Sequence, residues 1–152
     1  MNTELVLEKL RSKKSALMWE GSSEILRCHD IQYLLPLQPY CSEIRASLDK
    51  IKMGGIVISH RKTIQLALDY IENRCQGRCR CSLYLEESYI SPISEKKRGF
   101  LRIKESKVLQ HEHEEHFWIV CHSCGNEFKV IEIIGGHVPF YHWNSLTEKK
   151  EL

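Results

Sequence analysis

Apolar residues recur at helical spacing through the first half of the chain and at alternate positions through the second. In residues 2–18, Val6, Leu7, Leu10, Leu17 and Met18 mark one face, and Glu8, Lys9, Arg11 and Lys13 mark the other. That pattern predicts an amphipathic helix. Trp19-Glu20-Gly21-Ser22-Ser23 is expected to break it. Residues 24–35 form an apolar run bounded by Pro36 and Pro39, and they read as extended or mixed backbone. Ser42 reads as the N-cap of a helix over 43–53, with Ile44, Leu48 and Ile51 along its face and Gly54-Gly55 at its end. Ile56-Val57-Ile58 reads as a short buried strand. A third helix is expected over about 60–74, where Ile64, Ala67, Leu68 and Ile71 fall at helical spacing and Gly77 suits the C-terminal side.

From Cys79 onward the period changes to two. Ser82-Leu83-Tyr84-Leu85 is expected to begin a strand, and 89–92 to lead into a loop. Clear strand patterns follow in Gly99-Phe100-Leu101-Arg102-Ile103-Lys104, in His116-Phe117-Trp118-Ile119-Val120 and in 127–133. Short connections favour antiparallel neighbours. The expected architecture is α+β, with N-terminal helices followed by an antiparallel β-sheet. It reads as a single domain over 1–152: a mainly helical half (1–76), a metal-bearing β half (77–146) and a frayed tail (147–152).

A chain of 152 residues is long enough for one substantial core. No apolar stretch reaches the ~18 residues of a membrane span. Residues 1–14 are charged and lack the apolar centre of a secretory signal, so a cytoplasmic setting is expected. In that setting seven cysteines read as thiols and metal ligands rather than disulfides. The net charge is only +2, with 11 Lys/Arg against 9 Asp/Glu in residues 1–76 and 11 against 11 in 77–152. A dedicated nucleic-acid-binding domain usually carries a clearer basic face.

The strongest chemical signal is Val120-Cys121-His122-Ser123-Cys124-Gly125-Asn126-Glu127-Phe128-Lys129-Val130. Two cysteines two residues apart, followed at once by glycine between two strands, form a knuckle whose backbone amides can point at thiolate sulfur. A knuckle supplies two ligands and a structural zinc takes four. The other pair is sought in Cys75-Gln76-Gly77-Arg78-Cys79-Arg80-Cys81. The expected set is Cys79, Cys81, Cys121 and Cys124 around a structural Zn2+. Cys75 stays open as a substitute for Cys79 or Cys81.

This half resembles zinc-ribbon proteins, well over Val120 to Val130 and loosely at Cys79 and Cys81. The resemblance implies a structural zinc held between two hairpins. The chain departs from that pattern in the long stretch from Ser82 to Val120 and in the tight Cys79-x-Cys81 pair. Zinc ribbons serve nucleic-acid binding, protein binding or stability alone, so the resemblance does not select a function.

Other constellations carry less. His111-Glu112-His113-Glu114-Glu115-His116 is read first as a polar hairpin turn, with a metal site or a zinc enzyme built on His111, His113 and His116 as the sharper alternative. A deaminase reading fails, because only five residues separate Glu115 from Cys121 and no proline precedes that cysteine. Cys28-His29-Asp30 and Cys41 do not suggest thiol catalysis, because neighbours on a strand point to opposite faces. Within Gly135-Gly136-His137-Val138-Pro139-Phe140-Tyr141-His142-Trp143, the residues His137, Phe140, Tyr141, His142 and Trp143 either cap the sheet or form a partner-binding surface.

No phosphate-cradling glycine loop, nucleophile elbow or acid/base pair is found. The expectation is therefore a non-enzymatic cytoplasmic protein-binding module with a structural zinc and another protein as its partner. In general character it resembles small bacterial immunity- or antitoxin-type proteins. The first alternative is a nucleic-acid-binding zinc ribbon using Arg78, Arg80, Lys96, Lys97 and Arg98, with Tyr84 or Trp118 stacking on bases. No membrane partner is expected.

Overall fold

The structure, a computed structural model, describes residues 1–55 and 59–147. The strand expected at Ile56-Val57-Ile58, and the tail beyond 147, lie outside the described residues. Helices come first and a four-stranded antiparallel sheet follows, so the fold is α+β as the patterning predicts. The chain divides into two compact units, Met1–Arg78 and Cys79–Leu152.

The first unit is helical. Helix α1 (Thr3–Arg11) is capped by Asn2, whose side chain accepts from the Leu5 amide, and it buries Val6 and Leu10. The expected single helix over 2–18 is broken at Lys13, which sits in the left-handed region at φ 58°. Helix α2 (Ser15–Ile25) then runs through the segment expected to be a breaker. The reason is packing. A Cβ at Gly21 would stand 3.2 Å from the Lys9 Cβ and 3.3 Å from the Val6 carbonyl oxygen, so glycine permits the close approach of α1 and α2. Ser22 and Ser23 are buried beside it.

The run expected to be extended or mixed is mixed: it holds the end of α2, a 3-10 segment Ile31–Tyr33 and the start of another, Leu35–Tyr40. Pro36 is tolerated at the start of the second segment, where a missing amide costs little, and Pro39 lies inside that segment. Helix α3 (Cys41–Ser47) begins before Ser42, so Ser42 is not its cap, and a 3-10 turn over Leu48–Lys50 ends it. Helix α4 (His60–Cys75) is capped by Ser59 and buries Ile64, Ala67, Leu68 and Ile71, the stripe read from the sequence. Its end is closed by Gly77 N–H bonding the Arg74 carbonyl and Arg78 N–H bonding the Asn73 carbonyl. Arg45 joins α3 to α4 through Asp69 and Glu72, each at 2.9 Å.

The second unit carries the sheet. Strands β1 (Leu101–Leu109), β2 (Glu114–Cys121), β3 (Glu127–Ile133) and β4 (Tyr141–Ser145) pair in sequence order. Register puts Phe117 opposite Val130 and Val130 opposite Trp143, with Ile119 opposite Phe128. These residues form the core face, and Tyr84 packs on it with its ring 4.3 Å from Trp143. The strand expected from Ser82 is instead a 3-10 turn, Arg80–Leu83. Past the loop read at 89–92, a short helix α5 (Pro92–Lys97) forms under a Ser91 cap.

Candidate metal centre

The β2–β3 turn builds half of the site. The Cys121 amide bonds the Asn126 carbonyl (2.9 Å), and the Gly125 amide returns to the Cys121 carbonyl (3.0 Å). Gly125 takes φ 74°, and a Cβ there would meet nothing within 4 Å, so the requirement for glycine is one of backbone conformation alone. The turn leaves the Ser123 and Cys124 amides donating to the Cys121 sulfur. His122 is exposed, and its ring Nδ1 lies 3.1 Å from the Gly99 carbonyl oxygen.

The 3-10 turn at Arg80 supplies the other half. Cys79 Sγ lies 3.5 Å from Cys121 Sγ, and Cys81 Sγ lies 3.4 Å from Cys124 Sγ. All four sulfurs fall within 4.8 Å of one another. Tetrahedral thiolates at about 2.3 Å from a metal stand about 3.8 Å apart, so the four cysteines are spaced to hold one metal ion. All seven cysteines are free thiols, so neither close pair is a disulfide. Cys75 ends α4 and is not part of this cluster.

The electrostatics fit the same reading. Cys121 is driven well below an ordinary thiol by hydrogen bonds from Cys79 and Cys81 and by the two turn amides. Cys79 is correspondingly pushed up to about 11, first through its bond to Cys121. One sulfur is thus set up as a thiolate, and a bound cation would displace the protons shared with the others.

What fixes the first cysteine pair is a buried ion pair that sequence reasoning missed. Arg80, between the two cysteines, is 4 % exposed and reaches Glu95 of α5, which is fully buried. Tyr84 donates to the same carboxylate at 2.9 Å, and Arg98 adds a further bond at 2.9 Å. The Phe100 ring lies 4.1 Å from the Arg80 guanidinium carbon. Burial alone would raise the Glu95 pKa, but the Arg80 bond and charge outweigh it and hold the carboxyl below its usual range. The only sequence signal was an arginine enclosed by two candidate ligands. Only the nucleic-acid alternative gives this arginine a role, as a contact to the ligand, and its burial removes it from that role.

The remaining candidates are dispersed. Of the three histidines read as a metal set, only His116 joins a convergent group, and its companions are Glu112 and Glu114. His113 sits in the left-handed region at φ 54° within the β1–β2 turn. Tyr141 and Trp143 face the core, where Trp143 Nε1 donates to the Ile90 carbonyl at 3.0 Å. His137, Phe140 and His142 are exposed, with the Phe140 and His142 rings 4.8 Å apart. Cys41 is buried, and burial pushes its thiol up to about 12, the wrong direction for a nucleophile.

Among the described residues, no helix is long and apolar enough to cross a membrane. Compared with protein-family models, curated proteins and solved structures, the chain matches none.

Proposed function

We infer that the chain is a non-enzymatic binding module whose β unit is held together by one structural zinc on Cys79, Cys81, Cys121 and Cys124. The observation that carries this reading is the convergence of four sulfurs from two distant segments within 4.8 Å. Four thiolates close a tetrahedral site and leave no position for substrate, which is the character of structural rather than catalytic zinc. Seven free thiols agree with a reducing, cytoplasmic setting.

The partner in this reading is another protein. Support comes from the apolar residues Ile133, Ile134, Val138 and Phe140, all 42–48 % exposed around the β3–β4 connection. Inhibition of a partner in the manner of an immunity protein is one form such binding takes. The nucleic-acid alternative is weakened because Arg80 and Arg98, two of its five basic residues, are engaged by Glu95.

The test is native mass spectrometry of chelator-free protein, followed by capture of partners with wild type and with a Val138→Asp/Phe140→Asp variant. One zinc per chain and a complex lost only in the variant are expected. Absence of metal removes the zinc reading. A complex that survives the double substitution removes the proposed surface.

A further inference from the structure

The end of the sheet opposite the thiolates gathers a different set of ligand-bearing side chains. Glu114 and His116 lie two apart on β2 and so share one face. Cys121 lies five residues beyond His116 on the same strand, roughly 17 Å away at ~3.3 Å per residue. The His116 Nε2 atom is 2.7 Å from a Glu114 carboxylate oxygen. The turn before β2 brings in a third group. Its backbone bonds, Glu112 N–H to the Leu109 carbonyl (3.1 Å) and Ile134 N–H to the His113 carbonyl (2.7 Å), fold the chain back over the hairpin end. One ligand atom from each of Glu112, Glu114 and His116 then lies within 4.8 Å of the other two.

We propose that Glu112, Glu114 and His116 form a second, open site for a divalent cation. The contact between His116 and Glu114 joins two of these groups, and Glu112 brings a second carboxylate to the same point. Two carboxylates this close repel each other, and a divalent ion bound by both offsets that repulsion. His116 is 9 % exposed with its ring 6.2 Å from that of Trp118, so one ligand is held in place before any ion arrives. Glu112 is exposed and can adjust to the ion. Carboxylate and imidazole ligands suit manganese, cobalt or zinc, whereas the thiolate site suits softer binding. Three protein ligands leave coordination positions for water or an anionic ligand.

The probe is Mn2+, because thiolates bind it poorly and the readout then does not depend on what the cysteines hold. Full-length protein carrying one equivalent of zinc is titrated with Mn2+. Loss of the free-ion electron paramagnetic resonance signal and broadening of the His116 imidazole resonances are followed. One bound Mn2+ per chain is expected, with broadening that is strongest at the His116 imidazole and falls off with distance from it. Glu112→Gln and Glu114→Gln are each expected to weaken binding at least about tenfold, a loss of about 1.4 kcal/mol. His111→Ala and His113→Ala are expected to leave it unchanged. No saturable binding overturns the proposal, as does equal binding by Glu112→Gln, whose exposed position spares the fold.

Discussion

With the proposed metal on its four cysteines, removing it is expected to open the β unit and spare the helical one. The Cys79–Cys121 and Cys81–Cys124 contacts join residues 42 and 43 positions apart. By the chain-entropy relation, one cross-link closing a loop of that length contributes about 4 kcal/mol. A unit the size of residues 79–152 has a total stability of roughly 4–11 kcal/mol at 0.05–0.15 kcal/mol per residue. Loss of closure alone therefore removes a large share of it, and loss of the metal–thiolate bonds adds to that. At about 1.36 kcal/mol per decade, 4 kcal/mol is about three orders of magnitude in an opening equilibrium. The assay is amide hydrogen exchange of the full chain before and after chelation, with metal content measured in the same samples. Protection in β1 to β3 should fall about a thousandfold, while α4 keeps its own. The reasoning fails if the metal leaves and sheet protection drops less than tenfold.

Three further outcomes follow from the same unit. Glu95→Gln leaves the Arg80 guanidinium buried without its counter-charge, a loss of about 3–5 kcal/mol in denaturant melts. In the wild type, the Glu95 carboxyl is held below its ordinary 4.5 in the folded state. Its stabilisation is therefore present above pH ~4.5 and is lost as the pH falls through the lower folded value, so acid melts of wild type and Glu95→Gln should converge there. Gly125→Ala should cost about 1–2 kcal/mol and weaken metal retention, because only the φ of 74° resists it and no neighbour crowds the new methyl. Unchanged chelator resistance in that variant would contradict the role given to the turn.

Legibility in the sequence followed the range of the forces involved. Strands β1 to β3 and helix α4 were readable because their apolar residues repeat at the period of the element itself. The knuckle was readable because its chemistry lies within four residues. The helix through Gly21-Ser22-Ser23 was not, since small residues look like a breaker until a second helix is placed against them. Strand β4 was missed because two alternating aromatics, Tyr141 and Trp143, serve equally as a surface or a core. Helix α5 and the Arg80–Glu95 pair were missed because the partners are 15 residues apart and nothing in either segment announces the other. The histidine-rich segment was readable as the polar β1–β2 turn it forms; its alternative as a three-histidine set was not met, because His116 converges with Glu112 and Glu114 rather than with His111 and His113.

The order of the strands bears on how the second unit reaches this state. Each strand pairs with its neighbour in sequence, so the sheet can assemble from successive hairpins without any long search. Cys121 and Cys124 come together as soon as the β2–β3 turn closes, whereas Cys79 and Cys81 must arrive from outside the sheet. An ion captured by all four cysteines would then join after the hairpins have formed. An interaction absent from the rate-limiting barrier barely alters the folding rate and acts almost wholly on the rate of unfolding. The metal would thus set the lifetime of the folded unit rather than the speed at which it forms.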